Sequence, residues 1–428
     1  MRKFLFCFIF FTMTVSKIFS QSYAEGCDGI RYGYQIFDKT TKTTVRYATS
    51  TPEKKDLFMD IYQPVNDQVS KRPLIIFAHG GSFIFGDKSD MESFCTFWAQ
   101  RGFVTASVQY RLFAGIPTPA TMFDAAVKAV SDMKGAYRFF KTDAANLNIY
   151  QIDTTKIFIG GLSAGAITAL HAAYMDEGDP IPPDALTTIN ANGGFHGNTG
   201  DAENLSHNDR DIFGVINMSG AVFSKGLLDE DEPFLMSFQG DKDEVVPIDS
   251  NSVFFGLAYL YGSRTIHKEA DAIGLPNSLT VASGGGHTDI YLNPAFAADL
   301  DNFIDNSLAL FYPKLCGTNL STKYADRPSL NITTYPNPAT SRLYVEAHEK
   351  VDECWLIDMK GTVLKRQKIN ETLTEINISQ LSPGNYLILP IKDNKAYRTY
   401  DSDRALDMML VHQHDMYPIG MKRRNGHK

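Results

Sequence analysis

One pentapeptide, Gly161-Leu162-Ser163-Ala164-Gly165, restricts this chain more than any other stretch. It follows Lys156-Ile157-Phe158-Ile159-Gly160, an apolar run that reads as a buried strand. It precedes Ala166 to Tyr174, rich in good helix formers. A strand, G-x-S-x-G and a helix in that order predict a sharp turn that lifts the serine Oγ clear of a sheet. The flanking glycines let strand and helix backbones pass closely, with no Cβ between them. Amides at the helix start are free to face a developing oxyanion. Ser163 is therefore a candidate nucleophile.

The surrounding pattern supplies the sheet. Tyr32–Phe37 and Thr43–Tyr47 are β-favouring, and Leu57–Tyr62 alternates. Pro73–Ala78 is continuously apolar, as a strand covered on both faces requires, and it runs into His79-Gly80-Gly81-Ser82-Phe83. Met91–Arg101 reads as helix, Phe103–Val108 as strand and Thr121–Phe140 as a long helix. This alternation predicts an α/β fold, a mainly parallel sheet with helices on both faces.

Residues 176–211 break the rhythm. They are rich in Pro, Gly, Asn and Asp, and suit either a wall of the substrate cleft or a surface excursion. Strands are expected at Ile212–Met218, Phe234–Phe238 and Leu279–Ala282, and helices at Ser250–Tyr261 and Ala295–Phe311. From Thr334 to Tyr386, short strands separated by turns such as Ser382-Pro383-Gly384-Asn385 predict a small all-β, sandwich-like module.

The ends have their own signals. Arg2 and Lys3 precede an apolar run from Phe4 to Val15, which reads as a signal peptide over residues 1–20. The expected division is then a catalytic domain over 21–316, a polar linker over 317–332, the β module over 333–398 and a tail over 399–428 without strand period. Cys27, Cys95, Cys316 and Cys354 remain after the signal. They allow two disulfides in three pairings, while Cys95, in an apolar helix, equally suits a buried thiol. A formal net charge of −8 with no basic stripe argues against nucleic acid as a partner. His and Asp positions show no metal-ligand spacing, and G-x-G-x-x-G is absent, so neither metal nor nucleotide cofactor is expected.

The HGG turn, the GLSAG elbow, a late aspartate and a later histidine together resemble the carboxylesterase/lipase-like branch of the α/β-hydrolases, over roughly residues 30–312. That resemblance implies a triad in the chain order Ser163, Asp243, His287. It also implies an oxyanion hole from the Ala164 amide and one from Gly80 or Gly81. Ser82 departs from the family, in which many members have a third glycine. His287 follows a glycine run after a strand; His79, His171 and His196 are the competing histidines. Asp243 competes with Asp241, in the same loop, and with Asp289. In resembling hydrolases an aspartate precedes a Val-Pro pair, as Asp243 precedes Val246-Pro247. Val245 and Val246 should pin that loop, whereas Asp241 should sit in the turn.

Tyr335-Pro336-Asn337-Pro338-Ala339, Asp358-x-x-Gly361 and Leu381–Tyr386 resemble the C-terminal sorting domain of the type IX secretion system. The combined expectation is a bacterial protein exported through the periplasm, secreted or cell-surface attached. It would meet the secretion machinery through its C-terminal module and have no transmembrane span in its mature form. Its activity would be hydrolysis of small-molecule or polymer-borne carboxylic esters through an acyl-enzyme. A serine peptidase on the same fold and a non-catalytic adhesion protein are the rival readings.

Overall fold

The computed structural model describes residues 26–27, 31–253, 256–317, 329–336, 338–358, 362–369, 371–382, 384–392, 395–396, 398–399 and 408–411. The expected signal peptide and residues 318–328 of the expected linker lie outside them, as do Asn337, Gly361 and Pro383 of the sorting-domain motifs.

The first part of the chain runs β1 (Thr40–Thr49), β2 (Asp56–Pro64), β3 (Arg72–Ala78), α1 (Glu92–Ala99), β4 (Val104–Val108), α2 (Pro119–Ala145), β5 (Ile152–Leu162) and α3 (Ala164–Tyr174). It continues through α4 (Pro183–Ala191), β6 (Gly214–Met218), β7 (Ala221–Val222), β8 (Phe234–Gly240), β9 (Ser250–Val253), β10 (Ala258–Gly262), α5 (Ser263–Ile273), β11 (Asn277–Ala282), α6 (Asp289–Leu292) and α7 (Ala297–Cys316). Eight strands make one sheet, ordered β1-β2-β4-β3-β5-β6-β8-β11. β1 and β2 are antiparallel, β2 meets β4 antiparallel, and every later pairing is parallel.

β3 explains why the sheet is covered twice. Leu74, Ile76 and Ala78 belong to the core shared with α2, α3 and α5. Ile75 and Phe77, pointing the other way, belong to the core under α1 and α7. A strand with no polar face needs a helix layer on each side, and this one has both.

The all-β part comprises β12 (Ser329–Leu330), β13 (Ile332–Tyr335), β14 (Arg342–Ala347), β15 (Glu353–Asp358), β16 (Val363–Lys368), β17 (Leu373–Asn377), β18 (Gly384–Lys392), β19 (Lys395–Ala396), β20 (Arg398–Thr399) and β21 (Met408–Val411). β13-β14-β17 form one antiparallel sheet, and β16-β15-β18-β19, with β21 also on β18, another. Leu343, Val345 and Ile376 from the first share a core with Cys354, Leu356 and Ile388 from the second.

Three expectations need correction. Tyr32–Phe37 is no strand of the main sheet. Its amides at Tyr32, Ile36 and Phe37 donate to carbonyls of Arg101 and Gln100, and Gln35 makes a single bridge to Thr362. Tyr34 and Ile36 pack on Ile357 and Leu387 of the β module, so those β-favouring residues serve a tertiary contact. Ser250–Tyr261 is not helical but the hairpin β9–β10. Gly256, at φ +87°, stands between two aromatic, β-favouring runs. The tail contains β21 at Met408–Val411, paired antiparallel with β18. Segment 176–211, read as a cleft wall or a surface excursion, contains α4 and is fastened to α2: Arg138 pairs with Asp209, Lys134 donates to the Phe195 carbonyl, and Ser131 bonds Thr199.

Of the four cysteines, Cys27 and Cys316 are joined, with Cα atoms 5.5 Å apart, while Cys95 and Cys354 are buried thiols. The bond closes a loop across 289 residues. Cross-links over long loops restrict the unfolded chain most, and a native one is typically worth about 2–4 kcal/mol. Replacing both Cys27 and Cys316 by serine should lower Tm by several degrees in calorimetry, and reducing agent should shift the wild type equally.

Two buried histidines tie stability to pH. His171 Nδ1 donates to the Ile167 carbonyl, and its Nε2 accepts from the Phe223 amide. His267 Nδ1 donates to Asn277 Oδ1, and its Nε2 accepts from Ser237 Oγ. Burial pushes both down to about 4 from the ordinary value of 6.5. Unfolded histidines therefore gain protons first as pH falls, and stability should drop between about pH 6.5 and pH 4, by up to about 3 kcal/mol for each. Denaturant unfolding between pH 7.5 and 5 measures this; His267→Gln should lower stability at pH 7.5 yet flatten the slope.

Candidate active site

The candidate residues follow the carboxyl ends of parallel strands, where open α/β sheets present their ligand crevice. β3 ends before His79-Gly80-Gly81, β5 at Ser163, β8 before Asp243 and β11 before His287.

Ser163 has φ +55° and ψ −119°, a backbone region that costs a non-glycine residue energy. The glycines around it cannot carry side chains. A Cβ on Gly165 would lie 2.0 Å from the Ala78 carbonyl oxygen, and one on Gly161 would lie 2.4 Å from the Gly165 carbonyl carbon. The Ser163 amide donates to the Met218 carbonyl at 2.8 Å, which ties the turn to β6.

Asp243, His287 and Ser163 stand in one line. Asp243 Oδ2 lies 2.8 Å from His287 Nδ1, and His287 Nε2 lies 2.8 Å from Ser163 Oγ. A carboxylate only accepts, so Nδ1 bears the proton and Nε2 is left to accept from the serine hydroxyl. The Asp243 side chain is buried and that of His287 only slightly exposed. Asp243 is held on its other side as well, where Oδ1 accepts from the amides of Val245 at 3.0 Å and Val246 at 2.8 Å. Val246 is buried, but Val245 is exposed, so Val246 alone pins the loop.

The rival residues have other partners. Asp241 Oδ1 accepts from the Gly284 amide at 2.7 Å and braces the glycine run leading to His287. Asp289 Oδ1 accepts from the amides of Gly286 and Ile290 at the start of α6. His79 is buried, stacks on Tyr110 with ring centroids 4.3 Å apart, and bonds the Gly80 carbonyl. His171 faces the core, and His196 pairs with Asp209.

The Gly80 backbone lies against the nucleophile: a Cβ there would be 3.3 Å from Ser163 Cβ. Gly81 has φ +114°, and its carbonyl accepts from the amides of Ile84 and Phe85. Ser82 has φ +55° and Phe83 has φ +62°. The loop thus keeps the conformation a third glycine would give, at the cost of strain. The amides of Gly80, Gly81 and Ala164 donate no hydrogen bond among the described residues.

One participant escaped the sequence reading. Gln239, at the end of β8 and fully buried, donates through Nε2 to Asp243 Oδ2 at 3.2 Å and to the Val246 carbonyl at 2.5 Å. Its Oε1 accepts from the Ser263 amide at 3.2 Å. The signal was present: Ser237 and Gln239 are the polar residues of an otherwise apolar strand, and buried polar groups need partners.

Residues 59–225 match the BD-FAE family, and residues 333–399 match the secretion system C-terminal sorting domain. The isoprenylcysteine alpha-carbonyl methylesterase ICME of Arabidopsis thaliana is 23% identical over 66% of this chain, which spans 64% of that protein's length. A probable ICME of Oryza sativa subsp. japonica is also 23% identical, with 66% and 67% covered. Among solved structures, a thermophilic esterase of Thermogutta terrifontis with propionate bound aligns at 18% identity and a TM-score of 0.47, over 65% of this chain and 96% of that one. The sorting domain marks a secreted or cell-surface attached protein, and no helix among the described residues is long and apolar enough to cross a membrane. The chain thus joins a BD-FAE domain of α/β-hydrolase fold to a C-terminal sorting domain of the type IX secretion system.

Proposed function

We propose that this protein is a serine hydrolase of carboxylic esters, with Ser163 as nucleophile, His287 as general base and Asp243 as its orienting carboxylate. The observation that carries the reading is the unbroken Asp243–His287–Ser163 chain, 2.8 Å at each link. Ser163 Oγ attacks the ester carbonyl carbon and its proton passes to His287 Nε2. The carbonyl π electrons move to oxygen, and that oxyanion faces the amides of Ala164 and of Gly80 or Gly81. Each such donor is worth on the order of 100- to 1000-fold in rate. The oxyanion collapses, the alkoxide leaves with the proton from His287, and an acyl-Ser163 remains. Water, deprotonated by the same imidazole, then attacks that acyl group; the acyl–Oγ bond breaks, the proton passes from His287 to Ser163 Oγ, and the acid is freed. Asp243 holds the Nδ1–H tautomer and stabilises the imidazolium. The names of the plant relatives, methylesterases, agree with this chemistry. The β module is read as the address presented to the secretion machinery, with no part in the reaction.

A fluorophosphonate probe should label Ser163 in the folded protein and no other serine; absence of label would refute the reading. Ser163→Ala should abolish hydrolysis of p-nitrophenyl esters with Tm nearly unchanged, and residual turnover within tenfold of wild type would identify another nucleophile.

Asp243→Asn should lower kcat by several orders of magnitude; the corresponding change in a serine-protease triad costs about 10⁴-fold. Asp241→Asn keeps an acceptor for Gly284 and should lose less than about tenfold. The reverse ranking in steady-state kinetics would move the orienting role to Asp241.

Gln239 is a positioning residue in this scheme. Gln239→Glu keeps the shape but turns the donor facing Asp243 into an acceptor. It should lower kcat by about 10- to 100-fold with KM little changed, as loss of an outer partner commonly does. The added negative charge favours a protonated His287, so the ascending limb of the pH–rate profile should move to higher pH. A purely structural role would leave the profile in place.

A further inference from the structure

We infer that an apolar cavity whose wall lies one helical turn from Ser163 receives the acyl group of the ester, and that it suits short chains of about four carbons; this rests on the hydrolase reading above. The cavity has a volume of about 90 Å³. Its position follows from two of its walls. Ile167 lies one turn beyond Ser163 on α3, and its amide donates to the Ser163 carbonyl. Helical Cα–Cβ bonds tilt toward the N-terminus, so Ile167 leans back toward the serine. Phe83 belongs to the loop that carries Gly80 and Gly81. The space is therefore walled on one side by the nucleophile helix and by the loop assigned to the oxyanion.

The lining defines the ligand chemistry. Met122 from α2, Phe223 and Ala258 from the hairpin strand β10 are apolar. His171 is the ionisable residue in the wall, yet both ring nitrogens are engaged, one with the Ile167 carbonyl and one with the Phe223 amide. The Tyr259 hydroxyl is taken up by Ser250 Oγ at 3.1 Å. A hydroxyl or charge on the acyl group would lose water and find no replacement, whereas methylenes would gain. Size sets the length. An apolar cavity of about 150 Å³ accepts the six carbons of benzene, so 90 Å³ corresponds to roughly three or four carbons.

The inference predicts that kcat/KM rises about tenfold from acetyl to butyryl p-nitrophenyl esters, as two buried methylenes allow, and does not rise further to octanoyl. Ala258→Phe, which fills the cavity from the hairpin, should collapse the ratio of butyryl to acetyl kcat/KM to near one. Met122→Ala should move the optimum to hexanoyl or longer. A readout independent of turnover is xenon, followed by ¹²⁹Xe NMR. It should bind saturably to wild type and Ser163→Ala and lose that site in Ala258→Phe. An unchanged chain-length profile in both variants, with ester hydrolysis intact, would overturn the acyl assignment. An intact xenon site in a wild type that cleaves no ester would instead overturn the hydrolase reading, and the acyl assignment with it. Preference for a 4-hydroxycinnamoyl over a butyryl ester would overturn the apolar, short-chain inference.

Discussion

The closeness of β3, β5 and α3 at the elbow is the constraint on which the rest depends. At Gly161 and Gly165 the backbones of the two strands and the helix leave no room for a methyl group. That contact forces Ser163 into a strained conformation and brings Gly80, at the end of β3, against its side chain. The same turn points the first amides of α3 outward. One steric condition thus sets the serine at the turn and places the Gly80 backbone, a candidate oxyanion donor, beside it, as preorganised sites require. Strain at this point is tolerable because β3 is wholly buried between two hydrophobic layers.

The second half of the site depends on a polar network rather than on sterics. Gln239 and the amides of Val245 and Val246 occupy the carboxylate of Asp243, leaving Oδ2 to face His287. Through Gln239 the carboxylate is joined to Ser263 at the start of α5. Ser263 in turn accepts from Asn217, which also donates to Ser237, and Ser237 is bonded to His267. A buried network of this kind is stable when every member is satisfied, and it then specifies one arrangement. The loop that bears the aspartate is therefore placed by the core.

Much of this was legible in the chain. The elbow, the HGG turn and the strands flanking them carry local signals, because apolar runs and glycines reflect conditions that act over a few residues. Ser163 is nominated by such signals, and Asp243 and His287 by the order of motifs in the resembling family. What stayed hidden depends on distant partners. The hairpin β9–β10 contains Ser250-Asn251-Ser252 and Ala258, which suit several conformations, and its place is set by pairing with β7. Tyr32–Phe37 has strand-like residues whose partners are a helix end and the β module. The pairing of Cys27 with Cys316 follows from where α7 ends, which no spacing of cysteines encodes. Residues 176–211 lack periodicity because ion pairs and hydrogen bonds to α2, more than an apolar stripe, hold them.

The cross-link between Cys27 and Cys316 also determines how the hydrolase bears a load. The sorting module follows Cys316 in the chain and also packs on Tyr34 and Ile36, so the covalent share of any tension applied to it enters the α/β domain at the end of α7. Without the bond, that pull would peel α7 away from the sheet from its last turn, one row of side chains at a time. With it, part of the force passes directly to Cys27. Close by in sequence, Arg31 is anchored to Asp67 by two hydrogen bonds and Tyr32 to the Arg101 carbonyl. The helix and the N-terminal segment then share the stress. The disulfide thus ties the two ends of the α/β domain together at the point where the chain leaves it for the module.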